Sequence, residues 1–106
     1  MILTNIETVP GKRISAVYGV VNGSTVRSKH VGKDILAGWK NFFGGEIKGY
    51  TELLEEARKE AIQRMIDQAT IYGANAIVNV RFATSAITTG AAEVYAYGTA
   101  VRIETV

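Results

Sequence analysis

The sequence predicts an α+β fold in which an antiparallel sheet packs against one long helix. Residues 51–72 place apolar side chains at steps of three and four, which is the period of an amphipathic helix. Residues 12–21, 75–84 and 93–103 instead alternate with a period of two, as strands do. The order of strand, short helix, long helix and strand hairpin places the long helix on one side of the sheet.

Composition limits the classes of function. The chain has 106 residues, which predicts a single domain spanning residues 1–106. Its net charge of +2 comes from interleaved acids and bases, so we expect no nucleic-acid partner. It has no cysteine, which excludes disulfides and thiolate metal ligands. The first residues lack a basic start followed by a long apolar run, so we expect a soluble cytoplasmic protein without a membrane partner.

The long helix is the segment around which the other elements are arranged. Thr51 is the predicted N-terminal cap and Gly73 the predicted stop. The predicted core stripe consists of Leu53, Leu54, Ala57, Ala61, Ile62, Met65, Ile66, Ala69 and Tyr72. The opposite, charged face is predicted to be solvated, with Glu55 and Lys59, and Glu60 and Arg64, spaced for ion pairs along the helix.

The N-terminal half alternates short elements and turns. Residues 1–5 predict an edge strand, and Val9-Pro10-Gly11 predicts a turn before the strand at 12–21. Asn22-Gly23-Ser24 predicts a second turn, followed by a polar, basic segment at 25–32. Residues 33–43 predict a short helix, and the three glycines of residues 44–49 predict a loop before Thr51.

The C-terminal strands are predicted to form a hairpin with a long polar connection at residues 85–92. All three main strands are apolar on both faces, whereas one helix covers only one face. Either the second face is buried by oligomerisation, or the short helix around Trp39 folds across it within one subunit.

Several glycine-rich motifs resemble those of the YbjQ-like family, a family that carries a heavy-metal-binding label. They occur in order along nearly the whole chain: residues 18–23 (YGVVNG), 33–39 (KDILAGW), Gly44-Gly45 with Tyr50, Ala57-Arg58, residues 72–78 (YGANAIV) and 97–101 (YGTAV). The resemblance implies a β-α-β-β subunit of dodecin-like architecture, assembled as a ring that is usually a pentamer. It implies no established activity.

The metal label has little support from the ligands that the sequence offers. Soft and borderline metals select thiolate, thioether and imidazole ligands. The chain has one histidine, His30, and two methionines, of which Met65 lies in the core stripe. His30 follows Arg27 and Lys29 and is most simply a surface histidine, so it is a weak metal candidate. The cofactor, if there is one, is not identified by the sequence.

A small-ligand pocket is predicted at residues 34–50, next to the predicted helix start at Thr51. Glycines would present backbone N–H groups, aromatic side chains would supply an apolar wall, and a helix start at Thr51 would favour negative charge. The candidate residues are Asp34, Trp39, Gly44, Gly45, Tyr50 and Thr51. The simpler interpretation of the same residues is a structural loop and an aromatic interface.

No catalytic constellation occurs in the sequence, so we expect a protein that is not an enzyme. Two functions remain: a ring-forming module that holds a small ligand or metal at its subunit interfaces, and a purely structural oligomer. A molecule retained through purification would distinguish them.

Overall fold

The computed structural model describes residues 1–28, 45–88 and 90–106. They form four strands and one long helix: β1 (Ile2–Leu3), β2 (Lys12–Ser28), α1 (Gly45–Ile71), β3 (Ala76–Thr88) and β4 (Ala91–Thr105). The short helix predicted at 33–43 lies outside the described residues. Within the described residues, no helix is long and apolar enough to cross a membrane.

The four strands form one sheet in the order β1-β3-β4-β2. Both β2 and β3 pair antiparallel with β4, as predicted for the main strands, whereas β1 pairs parallel with β3. The predicted edge strand at the N-terminus is therefore confirmed. The strand nearest the C-terminus lies inside the sheet, between two strands that precede it in the chain.

The turn predicted at Asn22-Gly23-Ser24 is wrong, because β2 continues straight through it. These three residues pair with Tyr97, Ala96 and Tyr95 of β4. A Cβ atom on Gly23 would overlap the carbonyl oxygen of Ala61 and would lie 2.5 Å from the backbone nitrogen of Met65. The glycine is thus needed for close contact between strand and helix, and not for a turn.

The N-terminus of α1 also differs from the prediction. The helix begins at Gly45, so Thr51 is an exposed interior residue and not the cap, and the loop predicted at 44–49 is helical from Gly45 onward.

The predicted stop at Gly73 is confirmed. Gly73 has a φ of +87°. Its N–H donates to the Thr70 carbonyl at 3.0 Å, and the Ala74 N–H donates to the Ala69 carbonyl at 3.2 Å. These are the two hydrogen bonds of a Schellman cap, which satisfy the last carbonyls of the helix.

The connection between β3 and β4 is much shorter than predicted. β3 extends to Thr88 and β4 starts at Ala91, and Gly90, with a φ of +78°, lies between them. Most of residues 85–92 are therefore strand. The polar character that indicated a loop belongs instead to an exposed stretch of β3.

The main core lies between α1 and the face of the sheet that α1 covers. Ala57, Ala61, Met65 and Ala69 of the predicted stripe are fully buried, and Leu54 and Ile66 pack at its margin. They pack against Val21, Val94, Ala96 and Ala100 of the sheet. Tyr72 is the exception in the predicted stripe, since it lies beyond the last helical residue and is 53% exposed.

The opposite face of the sheet, which we call the open face, is partly covered by the chain that connects β1 to β2. β1 and β2 lie at opposite edges of the sheet, so this connection has to cross it. Val9 packs on a second core cluster formed by Ala76, Val78, Val101 and Ile103. The crossing segment is held by a hydrogen bond from the Asn79 N–H to the Ile6 carbonyl at 3.0 Å. One end of the open face is therefore closed within a single chain.

Candidate functional site

The sequence-predicted pocket falls mostly on residues that the structure does not describe. Asp34, Trp39, Gly44 and the weak metal candidate His30 all lie outside the described ranges. Gly45 is the first residue of α1, and Tyr50 and Thr51 follow in its second turn. The pocket stays a prediction, but a helix start at Thr51 can no longer be part of it.

The uncovered end of the open face brings together residues from three strands. Strand register aligns them in three rows, because cross-strand partners share a face. The rows are Asn22, Tyr97 and Arg81; Ser24, Tyr95 and Ala83; and Val26, Glu93 and Ser85. Each row takes its first residue from β2, its second from β4 and its third from β3.

These rows form a shallow depression of about 370 Å³ lined by Ser24, Ala83, Thr84, Ser85, Glu93 and Tyr95. The rings of Tyr95 and Tyr97 lie side by side, with centroids 5.4 Å apart and planes tilted by 33°. The Tyr95 ring, hydroxyl groups and the Glu93 carboxylate thus line a single concave surface. Such a surface offers an apolar wall and a few polar groups, which is the general composition of a small-ligand site.

An apolar strip borders the depression on β2. Val17, Val20 and Val26 point to the open face and are 65%, 72% and 57% exposed. We call these three residues the β2 patch. Isolated exposed valines are common on protein surfaces, whereas these three lie on one face of a single strand.

Salt-bridged side chains connect the C-terminal end of β2 to α1. The Glu60 carboxylate accepts hydrogen bonds from both Arg27 of β2 and Arg64 of the helix. Arg64 Nη1 also donates to the Ser24 carbonyl at 2.6 Å. The sequence predicts that Glu60 lies on a solvated face. In the structure it instead forms salt bridges to both β2 and α1. Because these side chains are partly exposed, each pair contributes less than about 1 kcal/mol, and their main effect is to orient the helix.

The register also explains why sequence analysis missed this site. The sequence predicts Glu93 as the first residue of a strand, Ser24 as part of a turn and Ser85 as part of the hairpin connection. Only the pairing of β2 and β3 with β4 brings these residues together. Period-two alternation on β4 does predict that Tyr95 and Tyr97 share one face of the sheet, and the pairing with Ser24 and Asn22 confirms it.

Comparison with protein families identifies the chain. The family model YbjQ_1, described as "Putative heavy-metal-binding", matches residues 1–104. The chain belongs to this family. The predicted resemblance is therefore confirmed over nearly the whole sequence.

Its relatives are of similar length and carry no assigned activity in their names. A UPF0145 protein of Hahella chejuensis is 65% identical, over 98% of this chain and all of the relative. A UPF0145 protein of Archaeoglobus fulgidus is 60% identical, over 97% of this chain and 95% of the relative.

A solved structure supports the fold. The crystal structure of a DUF74-family protein of unknown function from Pediococcus pentosaceus matches with a TM-score of 0.63 at 18% identity, covering 98% of both chains. At that identity the likeness extends to the mixed α+β fold alone.

The family description raises the question of whether this chain can hold a heavy metal. The sequence has no cysteine. Within residues 1–28, 45–88 and 90–106, no three side chains of the His, Cys, Asp and Glu types come close enough to share an ion. Heavy metals prefer thiolate and imidazole ligands, so the described part of one chain does not fit such a metal.

We therefore predict that a single subunit binds neither zinc nor copper tightly. Calorimetric titration with each metal should give no dissociation constant below the micromolar range, because one imidazole is too few ligands. The same titration on His30→Ala is the control. Submicromolar binding that disappears in this variant would contradict the prediction and would place a site at residues 25–32.

Proposed function

We propose that this protein is a homo-oligomeric ring module, with five copies as the expected number, which holds a small ligand where its copies meet. The observation that carries the proposal is the β2 patch, whose three valines are 57–72% exposed beside the Tyr95–Tyr97 pair. Burial of apolar surface is the main favourable term in association, at about 25 cal/mol per Å².

The shape of the single chain supports an assembly. Its radius of gyration is 17.3 Å, with extents of 56 × 22 × 16 Å. A compact domain of this length has a radius near about 13 Å. In the described ranges, one helix on an elongated sheet leaves much of the sheet surface exposed, and contact with other copies would reduce that exposure.

The depression on the open face supports a ligand at the contact between copies. In one chain it is shallow, whereas ligand sites bury most of the ligand surface. A second copy that placed its β2 patch beside the row of Ser24, Tyr95 and Ala83 would add an apolar wall to the depression and deepen it. The ligand would then contact the Tyr95 ring, hydroxyl groups and the Glu93 carboxylate.

Native mass spectrometry with light scattering tests both parts of the proposal. We expect a mass of five times the 11.5 kDa chain, and additional mass from a small molecule retained after gentle purification. The variant Val17→Lys/Val20→Lys should be monomeric, because two charges in the contact would have to be desolvated.

The matched control adds the same charge elsewhere. Thr70→Lys/Ile71→Lys changes two exposed residues at the C-terminal end of α1, one of them 84% exposed, and should leave the mass unchanged. A monomeric wild-type protein at micromolar concentration would refute the assembly. An assembly of bare chains would refute the ligand and leave a structural oligomer.

A further inference from the structure

The outer edge of β3 is exposed and lacks the usual protection of an edge strand. β1 pairs only with Ala76 and Ile77, and the last backbone hydrogen bond between the crossing segment and β3 runs from the Val80 N–H to the Thr4 carbonyl at 2.9 Å. Beyond it, the Arg81 side chain donates to the Asn5 carbonyl at 2.7 Å. Every residue from 81 to 87 is exposed. Within the described ranges, no strand lies beyond this stretch.

Edge strands normally carry charged residues, proline or bulges that prevent pairing with another chain. The stretch 82–87 of β3 reads Phe-Ala-Thr-Ser-Ala-Ile and has no charged residue, proline or glycine. Phe82 and Ile87 are 48% and 55% exposed. The stretch 82–87 thus presents unpaired backbone groups beside apolar side chains, and such an edge favours the addition of a strand from another chain.

The opposite edge of the sheet, on β2, is partly occupied. The Asn22 N–H donates to Gln68 Oε1 at 2.7 Å, and the Ser24 carbonyl accepts from Arg64 at 2.6 Å. These side chains of α1 take the place of a neighbouring strand at two positions. Residues 12–21, which precede them, have no strand on their outer side in the described structure.

We propose that residues 81–87 of β3 pair edge to edge with the 12–21 stretch of β2 in a second copy of this chain. The inference rests on the proposed self-association and specifies its contact. One copy offers two different edges, so the contact is head-to-tail, and head-to-tail contacts generate a ring when the rotation between successive copies closes.

The position of α1 supports β2 as the partner strand. Within one copy α1 lies over β2 and β4 and scarcely touches β3. Phe82 points to the helix side of the sheet, because its cross-strand partner is the buried Ala96. The α1 helix of the same chain leaves the Phe82 side chain 48% exposed. If β2 of a second copy lay beside β3, the α1 helix of that copy would lie next to Phe82 and cover it.

The β2 patch supports the same arrangement on the open face. Val17 and Val20 project from the 12–21 stretch. In the edge-to-edge arrangement they would pack beside residues of the β3 open face, such as Ala83, of the adjoining copy. Both exposed apolar surfaces, on β2 and on β3, would therefore be buried in one contact.

The first experiment charges the β3 edge. Thr84→Lys/Ala86→Lys changes two exposed residues, and its mass by light scattering should fall to that of the 11.5 kDa chain. Thr70→Lys/Ile71→Lys, with the same added charge on α1, should keep the wild-type mass. If the wild type is oligomeric and the edge variant keeps its mass, the inference fails while the proposed function stands. A monomeric wild type refutes both.

The second experiment mixes two variants that are each expected to be monomeric. One carries Thr84→Lys/Ala86→Lys on the β3 edge, and the other carries Val17→Lys/Val20→Lys on β2. The first retains an intact β2 and the second an intact β3, so the mixture should form a dimer of twice the chain mass. A β2 variant that dimerises alone would show β3–β3 pairing and would overturn the inference. The absence of a mixed dimer would also overturn it.

Hydrogen exchange distinguishes strand pairing from side-chain contact. In the wild-type assembly, amides on both sides of β3 between residues 81 and 87 should be protected. In the Thr84→Lys/Ala86→Lys variant, only the amides that face β4 should stay protected, so about half of the stretch should exchange quickly, since successive amides in a strand point to opposite sides. Equal protection in both proteins would overturn the inference even if their masses differ.

Discussion

Replacement of Gly23 by alanine is expected to lower the free energy of unfolding by about 3 kcal/mol. The added Cβ would overlap the carbonyl oxygen of Ala61, and would lie 2.5 Å from the Met65 nitrogen and 2.9 Å from Arg64 Cβ. Two of these three atoms belong to the helix backbone, which cannot turn aside as a flexible side chain can. The whole of α1 would have to move away from β2. Denaturant unfolding followed by circular dichroism measures the change.

Two alanine substitutions serve as comparisons for Gly23→Ala. Asn22→Ala changes the adjacent, exposed residue and should cost less than about 1 kcal/mol. Gly98→Ala should fall between the two, because its added Cβ would meet Ile77 Cγ2 at 2.7 Å and the Val78 carbonyl oxygen at 3.0 Å, and an isoleucine methyl group can adjust. A loss below about 1 kcal/mol in Gly23→Ala would contradict the close contact between strand and helix.

Met65→Ala is expected to cost about 3 kcal/mol, the typical loss when a large core side chain is truncated. Met65 is fully buried and is the largest of the side chains with under 2% exposure. Its fully buried neighbours one turn away on the helix are Ala61 and Ala69, whose methyl groups are too small to fill the space that it leaves. Thermal and denaturant unfolding should both show the loss.

The control for Met65→Ala is Ile71→Ala on the same helix. Ile71 is 84% exposed, so its truncation should change stability by less than about 0.5 kcal/mol. Equal effects of the two substitutions would mean that α1 does not pack on the sheet through the Met65 face.

The helix and its buried face could be predicted from sequence because the apolar period of α1 is a local signal. Ala57, Ala61, Met65 and Ala69 recur every four residues, and all four are fully buried. Gly73 likewise ends the helix through its own backbone conformation. Neither feature depends on residues distant in the chain.

The wrong predictions concern segments whose structure is determined by contacts with residues distant in the chain. Asn22-Gly23-Ser24 has the composition of a turn, but the glycine is required by the approach of Ala61 and Met65. The stretch 85–88 is polar enough for a loop, yet it pairs with β4. Local composition gives no information about these partners.

The candidate site was predictable only in outline. Apolar alternation on both faces of the strands correctly indicated that one helix would not cover the sheet. It did not indicate that Val9 and the crossing segment close one end of the open face over Val78, Val101 and Ile103, whereas Val17, Val20 and Val26 of β2 stay exposed. The ion pair between Arg27 and Glu60 joins residues from separate elements, and the spacing along either element gives no sign of it.

The place of β4 inside the sheet has a consequence for synthesis of the chain. β2 and β3 are not neighbours, and both obtain their main partner only when residues 91–105 have been made. Before that, α1 is the one described element against which β2 can pack. Pairs such as Lys12 with Thr105 join the two ends of the chain, and such distant contacts slow folding. We therefore expect folding to be a single late and slow event, completed after the last strand leaves the ribosome, and a chain that stops before β4 to have no stable sheet.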